Sequence, residues 1–277
     1  MNSASTAIAA EAADSAAVAP AAPVEAQPQL FAKRILDRLA AVGAGVTAPW
    51  WVRADDGLCY IVKDDAPPQA PHVRASEFIW SSVARLVGLP APAQEIIEDE
   101  STGRTLVASR REQGNIGRDH ATCVQHLLGG KIVQGGRQLS RIYAFDLFCG
   151  NWDRHPGNYL ILDEAGTLAV FAIDFSHVAL HPGLSGPQDP LTFAPCATRA
   201  MFKPLVQPYG ADGPASIDIL ERLDVLPVGA IETILTGVPQ DWLATDDRDQ
   251  ILAWWQGSSR TARTAQLKQG FQDGTYP

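Results

Sequence analysis

One polar stretch in the middle of the chain constrains the fold most, because it brackets two short apolar runs. Residues 151–158 read Asn-Trp-Asp-Arg-His-Pro-Gly-Asn, apolar runs follow at 159–162 and 168–173, and the sequence then continues Asp-Phe-Ser. Two such runs separated by a turn sequence predict an antiparallel β-hairpin. Pairing of the runs would make Asn158 and Asp174 cross-strand neighbours. The Asn158 amide oxygen and the Asp174 carboxylate would then point to the same place.

This arrangement suits a divalent cation beside phosphate groups. Mg²⁺ prefers oxygen ligands, and beside a nucleotide one or two protein groups usually hold it, while water and phosphate complete its shell. Asn158 and Asp174 are therefore the candidate metal ligands. Asp153 lies in the loop just before Asn158, from which its carboxylate could reach the same point as a base. Phosphoryl transfer requires such a carboxylate, which orients a hydroxyl beside metal-bound phosphates.

A cation for the phosphates is available upstream. Runs typical of strands at 46–53 and 58–63 flank an Asp-Gly turn, so they predict a hairpin that ends at Lys63. A helix is predicted over 76–87, with Glu77 in its first turn. A strand lysine paired with a helix glutamate is the layout of a kinase small lobe, where the lysine contacts the α- and β-phosphates.

A glycine-containing loop precedes the first of these strands. Gly43, Gly45 and Thr47 offer backbone N–H groups and a hydroxyl that could donate to phosphate oxygens. The loop lacks the G-x-G-x-x-G spacing of the loops that cover a nucleotide in kinases. These three residues are nevertheless candidate nucleotide contacts.

The first part of the chain predicts a leader and a small lobe. Residues 1–30 are dominated by Ala and Pro, contain no aromatic residue and predict a disordered leader. Residues 31–112 predict a β-rich N-lobe. It begins with an amphipathic helix over 30–40 and includes a second hairpin formed by 93–98 and 104–109.

The second lobe is predicted over 113–277 and is mostly helical. A short helix is expected around 121–128 and a longer one over 137–149, and helical patterns dominate beyond about residue 180. The predicted fold is therefore α+β and bilobed, with a small β-rich N-lobe and a mostly helical C-lobe.

Other polar residues are expected to support the central stretch. Asp146 lies within the apolar pattern of the longer helix, where an unpaired carboxylate is costly to bury. We expect it to anchor Arg154 or His155. His155 and His177 raise the alternative of a transition-metal site, but the clustered ligand spacing of such sites is absent. We expect His155 instead to hold the loop by a hydrogen bond.

Charge and composition narrow the partners. The chain has 22 Lys and Arg against 31 Asp and Glu, a net charge of −9, which argues against a general electrostatic grip on nucleic acid or anionic lipid. No apolar run approaches the roughly 20 residues that span a bilayer. The N-terminal residues do not resemble a secretory signal, and the four cysteines include no C-x-x-C pair. We expect a cytoplasmic protein that does not bind nucleic acid or span a membrane.

The central stretch resembles the HipA-like kinase family and, more distantly, the phosphatidylinositol kinases. The string FDLFCGNWDRHPGNYLI followed by FAIDF carries the resemblance, which extends more weakly over about 45–180. The specific matches are Asp153, Arg154, His155, Asn158 and Asp174. The resemblance implies a bilobed kinase-like fold and phosphotransfer from ATP with Mg²⁺, usually to a protein Ser or Thr hydroxyl. Toxin members of the family have an antitoxin partner, so it also allows a regulatory partner protein.

The family also implies roles for three of the matched residues and for Lys63. Asp153 would be the catalytic base, Asn158 and Asp174 the metal ligands, and Lys63 the lysine that binds phosphate. The protein substrate, which could be the chain itself, is not specified by the sequence.

Each assignment has a simpler structural alternative. Asp153 could cap a turn, Lys63 could be a solvated lysine on an edge strand, and Glu77 could serve only the helix dipole. Two functional alternatives remain: a catalytically silent nucleotide-binding module that acts through a partner, and a kinase for a lipid or small-molecule hydroxyl. The complete set of catalytic and metal-binding candidates favours an active kinase, and this acidic chain offers little of the basic patch that a lipid kinase would need.

Overall fold

The computed structural model describes residues 32–42, 48–68, 70–117, 119–182 and 188–277. The leader predicted over 1–30 lies outside the described residues, as do Gly43, Gly45 and Thr47. Those assignments therefore stay predictions.

Five strands in the first part of the chain form a closed β-barrel. They are β1 Lys33–Ala41, β2 Trp50–Ala54, β3 Cys59–Lys63, β4 Gln94–Asp99 and β5 Arg104–Arg110. Around the barrel the order is β1-β2-β3-β5-β4, and all neighbours are antiparallel except β1 and β4, which close the barrel in parallel. Both predicted hairpins are confirmed, as β2–β3 and β4–β5.

The helix predicted over 30–40 is wrong, because this segment is strand β1. Half-buried and exposed residues alternate from Lys33 to Arg38, as in a strand. The pairing with β2 shifts register between Ile35 and Asp37 and again near the end of the strand. The helix-like spacing of the apolar residues arises because two of them, Leu36 and Leu39, lie on the exposed face of the strand. Hydrogen bonding to β2 on one edge and to β4 on the other stabilises the segment as a strand.

Helix α1, Val73–Leu86, joins the barrel to the rest of the protein. It begins three residues before the predicted start and otherwise confirms the prediction. Trp80 is fully buried on its inner face. The Trp80 ring lies 6.2 Å from that of Phe145 and 6.4 Å from those of Phe148 and Trp255. An aromatic cluster therefore fixes α1 against the helical part.

The rest of the described chain is mostly helical, with one further hairpin. Its helices are α2 His120–Leu128, α3 Gly135–Cys149, α4 Ala197–Val206, α5 Gly213–Asp224, α6 Val228–Gly237, α7 Thr245–Gln256 and α8 Ser258–Gln272. The two helices predicted between residues 121 and 149 are confirmed as α2 and α3. The central hairpin is also confirmed, with β6 at Tyr159–Glu164 and β7 at Thr167–Ala172. A 3-10 turn, Pro156–Asn158, precedes it.

The described residues after the leader belong to one compact unit. A barrel with one packed helix, followed by a helical part that carries a hairpin, is an α+β fold. The lobe boundary between residues 112 and 113 stays a prediction. None of the helices in the described ranges is long and apolar enough to cross a membrane.

We expect Trp80→Ala to lower the free energy of unfolding by about 3–5 kcal/mol, because it leaves a large cavity in the cluster that anchors α1. The matched control is Leu86→Ala in the same helix, since Leu86 is 46% exposed. It should change the free energy by about 0.5 kcal/mol or less. Urea unfolding of both variants checks this, and equal effects would contradict the role of the cluster.

Candidate active site

A buried ion pair forms the base of the site. Asp146 on α3 is fully buried, and Arg154 is almost completely buried. The guanidinium donates from Nε to Oδ2 and from Nη2 to Oδ1 of Asp146, each at 2.8 Å. The Asn151 side-chain amide donates to Oδ1 at 2.9 Å. Burial opposes the charge of Arg154, but Asp146 outweighs it and raises the pKa of Arg154 above its usual range.

Arg154 joins both ends of the hairpin to this base. Its Nη1 donates to the Asn158 carbonyl oxygen at 2.8 Å and also to the Ile173 carbonyl oxygen. The guanidinium also lies 5.0 Å from the centre of the Phe175 ring. One side chain therefore fixes where the two strands leave the sheet. Asp146 contacts Arg154, one of the two partners expected from the sequence.

Asp153 is held by its backbone, and its carboxylate meets a histidine. The Asp153 N–H donates to Asn151 Oδ1 at 3.2 Å, and the Asp153 carbonyl accepts from Asn158 Nδ2 at 2.9 Å. Oδ2 of Asp153 lies 3.6 Å from Nε2 of His177. The His177 ring in turn meets the Trp152 ring edge-on at 5.1 Å. The loop geometry thus orients the carboxylate without enclosing it.

Asn158 and Asp174 lie at the adjoining strand ends, but they are not directly opposite. The last strand pair is Tyr159 with Ala172, and the Ile173 N–H donates to the Asn158 carbonyl at 3.1 Å. Asp174 is therefore one residue beyond the position that faces Asn158. Its φ of +63° turns the chain out of the strand. The expectation of direct cross-strand neighbours is corrected to a diagonal relation.

The amide oxygen of Asn158 and the carboxylate of Asp174 are oxygen ligands that suit a hard cation. The Asn158 amide nitrogen is bonded to Asp153, and no described residue donates to its Oδ1. Burial would raise the pKa of Asp174, but Lys63 and hydrogen bonds from Ser176 outweigh it and hold that pKa well below its usual range. The described ranges hold no group of three His, Cys, Asp or Glu that could bind a metal alone. The amide oxygen of Asn158 and the carboxylate of Asp174 fit a metal that shares its shell with phosphate or water.

Lys63 lies between two carboxylates from different parts of the chain. Its ammonium is ion-paired with Glu77 on α1 and lies 2.9 Å from Oδ1 of Asp174. Burial opposes its charge, but Asp174 and Glu77 outweigh it and raise the pKa of Lys63 above its usual range. Burial raises the pKa of Glu77, and the neighbouring Lys63 opposes this only in part.

His155 holds the turn before β6. Its Nδ1 accepts from the Gly157 N–H at 3.1 Å. Burial lowers the pKa of His155, and the nearby Asp153 and Asp174 offset this only in part. A neutral imidazole suits the acceptor role of Nδ1. The loop-holding contact expected of His155 is therefore present.

Sequence reasoning missed two supports of the site. Thr198, at the start of α4, donates to the Asn151 carbonyl at 2.7 Å and accepts from the Arg154 N–H at 2.9 Å. No local pattern marks this distant threonine. His177 was noticed only as a possible metal ligand, because its contact with Asp153 depends on the path of the chain after Asp174.

A cavity of about 140 Å³ lies next to His177. Its wall includes His72, Trp152, Ser176, His177 and Gln188. It leaves room for a small group beside the histidine that contacts Asp153.

A family model described as a HipA-like kinase matches residues 33–262. The chain belongs to the HipA-like kinase family. This membership confirms the family resemblance inferred from the central stretch. The comparison with curated proteins found no match.

Two solved structures show the same fold as this HipA-like chain. HipA of Shewanella oneidensis MR-1, solved with HipB and its operator DNA, has a TM-score of 0.51 and 16% identity, over 84% of this chain and 66% of that one. This chain thus spans slightly less than two thirds of that HipA. The Helicobacter pylori proinflammatory kinase CtkA has a TM-score of 0.52 and 12% identity, over 86% of this chain and 96% of that one. These likenesses support an α+β kinase-like fold.

We expect Asp146→Ala to lower the free energy of unfolding by about 3–5 kcal/mol, because it leaves the buried Arg154 charge unpaired. Asp37→Ala is the matched control. It removes the carboxylate that pairs with Arg53 at the surface, where both side chains are about half exposed. That change should cost less than about 1 kcal/mol. Urea unfolding compares the two, and a small loss for Asp146→Ala would contradict the anchoring role.

Proposed function

We propose that this HipA-like chain is an active phosphotransferase that uses ATP and Mg²⁺ to phosphorylate a Ser or Thr hydroxyl of a protein. The observation that carries the proposal is the position of Lys63 between Glu77 and Asp174. This contact brings a phosphate-binding cation next to a candidate metal ligand. The silent-module alternative would be favoured by the loss of one of these groups, and all of them are present.

Asn158 Oδ1 and Asp174 are the groups that would hold Mg²⁺. When bound, the ion would neutralise the charge of the phosphates. Lys63 supplies a second positive charge for the α- and β-phosphates. Glu77 keeps the ammonium in position. Because Glu77 is buried, this position is rigid.

Asp153 is the proposed catalytic base. Its carboxylate accepts a hydrogen bond from the acceptor hydroxyl and takes the proton as the oxygen attacks the γ-phosphorus. The new bond joins the hydroxyl oxygen to phosphorus, and the bond from phosphorus to the β–γ bridging oxygen breaks. ADP leaves, and a phosphorylated hydroxyl remains. The backbone bonds of Asp153 to Asn151 and Asn158 support this orientation.

Protein is the proposed acceptor class because family members usually act on protein hydroxyls and the chain carries a net charge of −9. An anionic lipid headgroup would call for a basic surface. A regulatory partner, the absence of nucleic-acid binding and a cytoplasmic location stay predictions. The complex with HipB and operator DNA is a property of the Shewanella oneidensis HipA, and it does not extend to this chain.

We expect Asp174→Asn to weaken Mg²⁺-dependent binding of a non-hydrolysable ATP analogue at least about tenfold, or about 1.4 kcal/mol, because it removes the charged metal ligand. Calorimetric titrations with Mg²⁺ and with EDTA measure the effect. Asp163→Asn is the matched control, since Asp163 lies at the opposite, exposed end of the same hairpin. Wild-type protein that binds no nucleotide would contradict the proposed function.

We expect Asp153→Asn to bind the nucleotide normally but to transfer label from γ-labelled ATP about 10²-fold or more slowly, because the proton acceptor is lost. The assay uses the wild type and Asp163→Asn beside it, with the chain itself, a cell lysate and phosphoinositide vesicles as acceptors. Label on protein supports the proposal. Label only on lipid would contradict the acceptor class, and transfer by Asp153→Asn at the wild-type rate would contradict the role of Asp153.

A further inference from the structure

Arg74 connects the first turn of α1 to distant parts of the chain. It lies three residues before Glu77 and is almost fully buried. Its Nε donates to Asp65 Oδ2 at 2.8 Å, and its Nη1 donates to the Thr105 carbonyl oxygen at 2.9 Å. Nη1 also donates to Asp241 Oδ2 at 3.0 Å. Asp241 lies in the α6–α7 loop, residues 238–244, which is far from α1 in sequence.

Trp242 strengthens the same contact. It is almost completely buried and donates from Nε1 to Thr105 Oγ1 on β5 at 2.8 Å. Its ring meets the Phe78 ring edge-on at 6.3 Å, and the Arg74 guanidinium lies 5.4 Å from its centre. Phe78 is the residue after Glu77. The α6–α7 loop therefore contacts α1 on both sides of Glu77 in the sequence.

The α6–α7 loop is itself fixed to the helical part. Arg248 on α7 donates from Nη2 to the carbonyl oxygens of Val238 at 2.7 Å and Pro239 at 3.3 Å. It also donates to the Leu235 carbonyl oxygen at the end of α6. One half-buried cation thus holds the start of the loop. A movement of Asp241 and Trp242 away from α1 would have to break these bonds or bend the loop.

A second segment holds α1 from the side of Asp174. Ser76 Oγ donates to the Val178 carbonyl oxygen at 2.8 Å, and Trp80 Nε1 donates to the Ala179 carbonyl oxygen at 3.1 Å. Helix α1 is therefore tied both to the chain after Asp174 and to the α6–α7 loop. Glu77 lies between these two attachments.

We propose that Asp241 and Trp242 are positioning residues, through which the α6–α7 loop keeps α1 in place and Glu77 paired with Lys63 without any partner protein. This rests on the proposed function, because the consequence concerns nucleotide binding. If α1 moves away, Lys63 keeps Asp174 as its carboxylate partner. The ammonium then competes with the metal for that carboxylate, and only the fraction of molecules with α1 in place binds ATP well.

The test uses Asp241→Ala and Trp242→Phe. The Asp241 side chain is 58% exposed, so its removal leaves the core intact. Trp242→Phe keeps an aromatic ring but removes the donor to Thr105. We expect the KM for ATP to rise about fivefold or more in each variant. We expect kcat at saturating ATP to stay within about twofold, because bound nucleotide restores the competent state.

Hydrogen exchange provides a second readout without nucleotide. Backbone amides of α1 should exchange faster in both variants than in the wild type, and the ATP analogue with Mg²⁺ should restore their protection. The matched control is Asp249→Ala, an exposed acidic residue on α7. It should leave KM and exchange unchanged.

The outcomes separate the two claims. An active wild type together with variants of unchanged KM and unchanged α1 exchange would overturn the positioning role. An equal effect of Asp249→Ala would also overturn it, because the cause would then be net charge. A wild type that binds no nucleotide would overturn the proposed function instead, and the nucleotide-free exchange would still decide whether the loop holds α1.

Discussion

The rest of the site depends on one interaction, the pairing of the Lys63 ammonium with two carboxylates. A buried ammonium is costly unless carboxylates compensate it. The two that do so, Glu77 and Asp174, come from α1 and from the end of β7. The barrel, the helix and the hairpin must therefore keep a fixed mutual position. The aromatic cluster around Trp80 and the α6–α7 loop both serve this requirement, because each restrains α1.

A second buried pair fixes the hairpin end of this arrangement. Asp146 and Arg154 are removed from water, and Arg154 uses its remaining donors on the carbonyls of Asn158 and Ile173. This buried pair therefore fixes the backbone geometry at both ends of the hairpin. Arg154 thereby fixes the backbone at Asn158 and next to Asp174, the two candidate metal ligands.

Much of the site was predictable because its signals are local. Turn residues and apolar runs predicted three hairpins, and the lysine–glutamate pair followed from a strand lysine before a helix. Strand β1 was not predictable, since its exposed Leu36 and Leu39 give the apolar residues a helix-like spacing, which only pairing with β2 and β4 overrides. Thr198 contacts Arg154 from α4, and Asp241 contacts Arg74 from the α6–α7 loop, and no local pattern reports such distant contacts.

The central claim is that the ends of the hairpin hold a metal beside Lys63. The direct test is a crystal structure with Mn²⁺ and a non-hydrolysable ATP analogue, in which an anomalous difference map locates the Mn²⁺. We expect an anomalous peak about 2.0–2.3 Å from Asn158 Oδ1 and from an Asp174 oxygen, with phosphate oxygens completing the shell. The Lys63 ammonium should contact the α- or β-phosphate. A metal bound elsewhere, or a nucleotide that does not reach Lys63, would contradict the account.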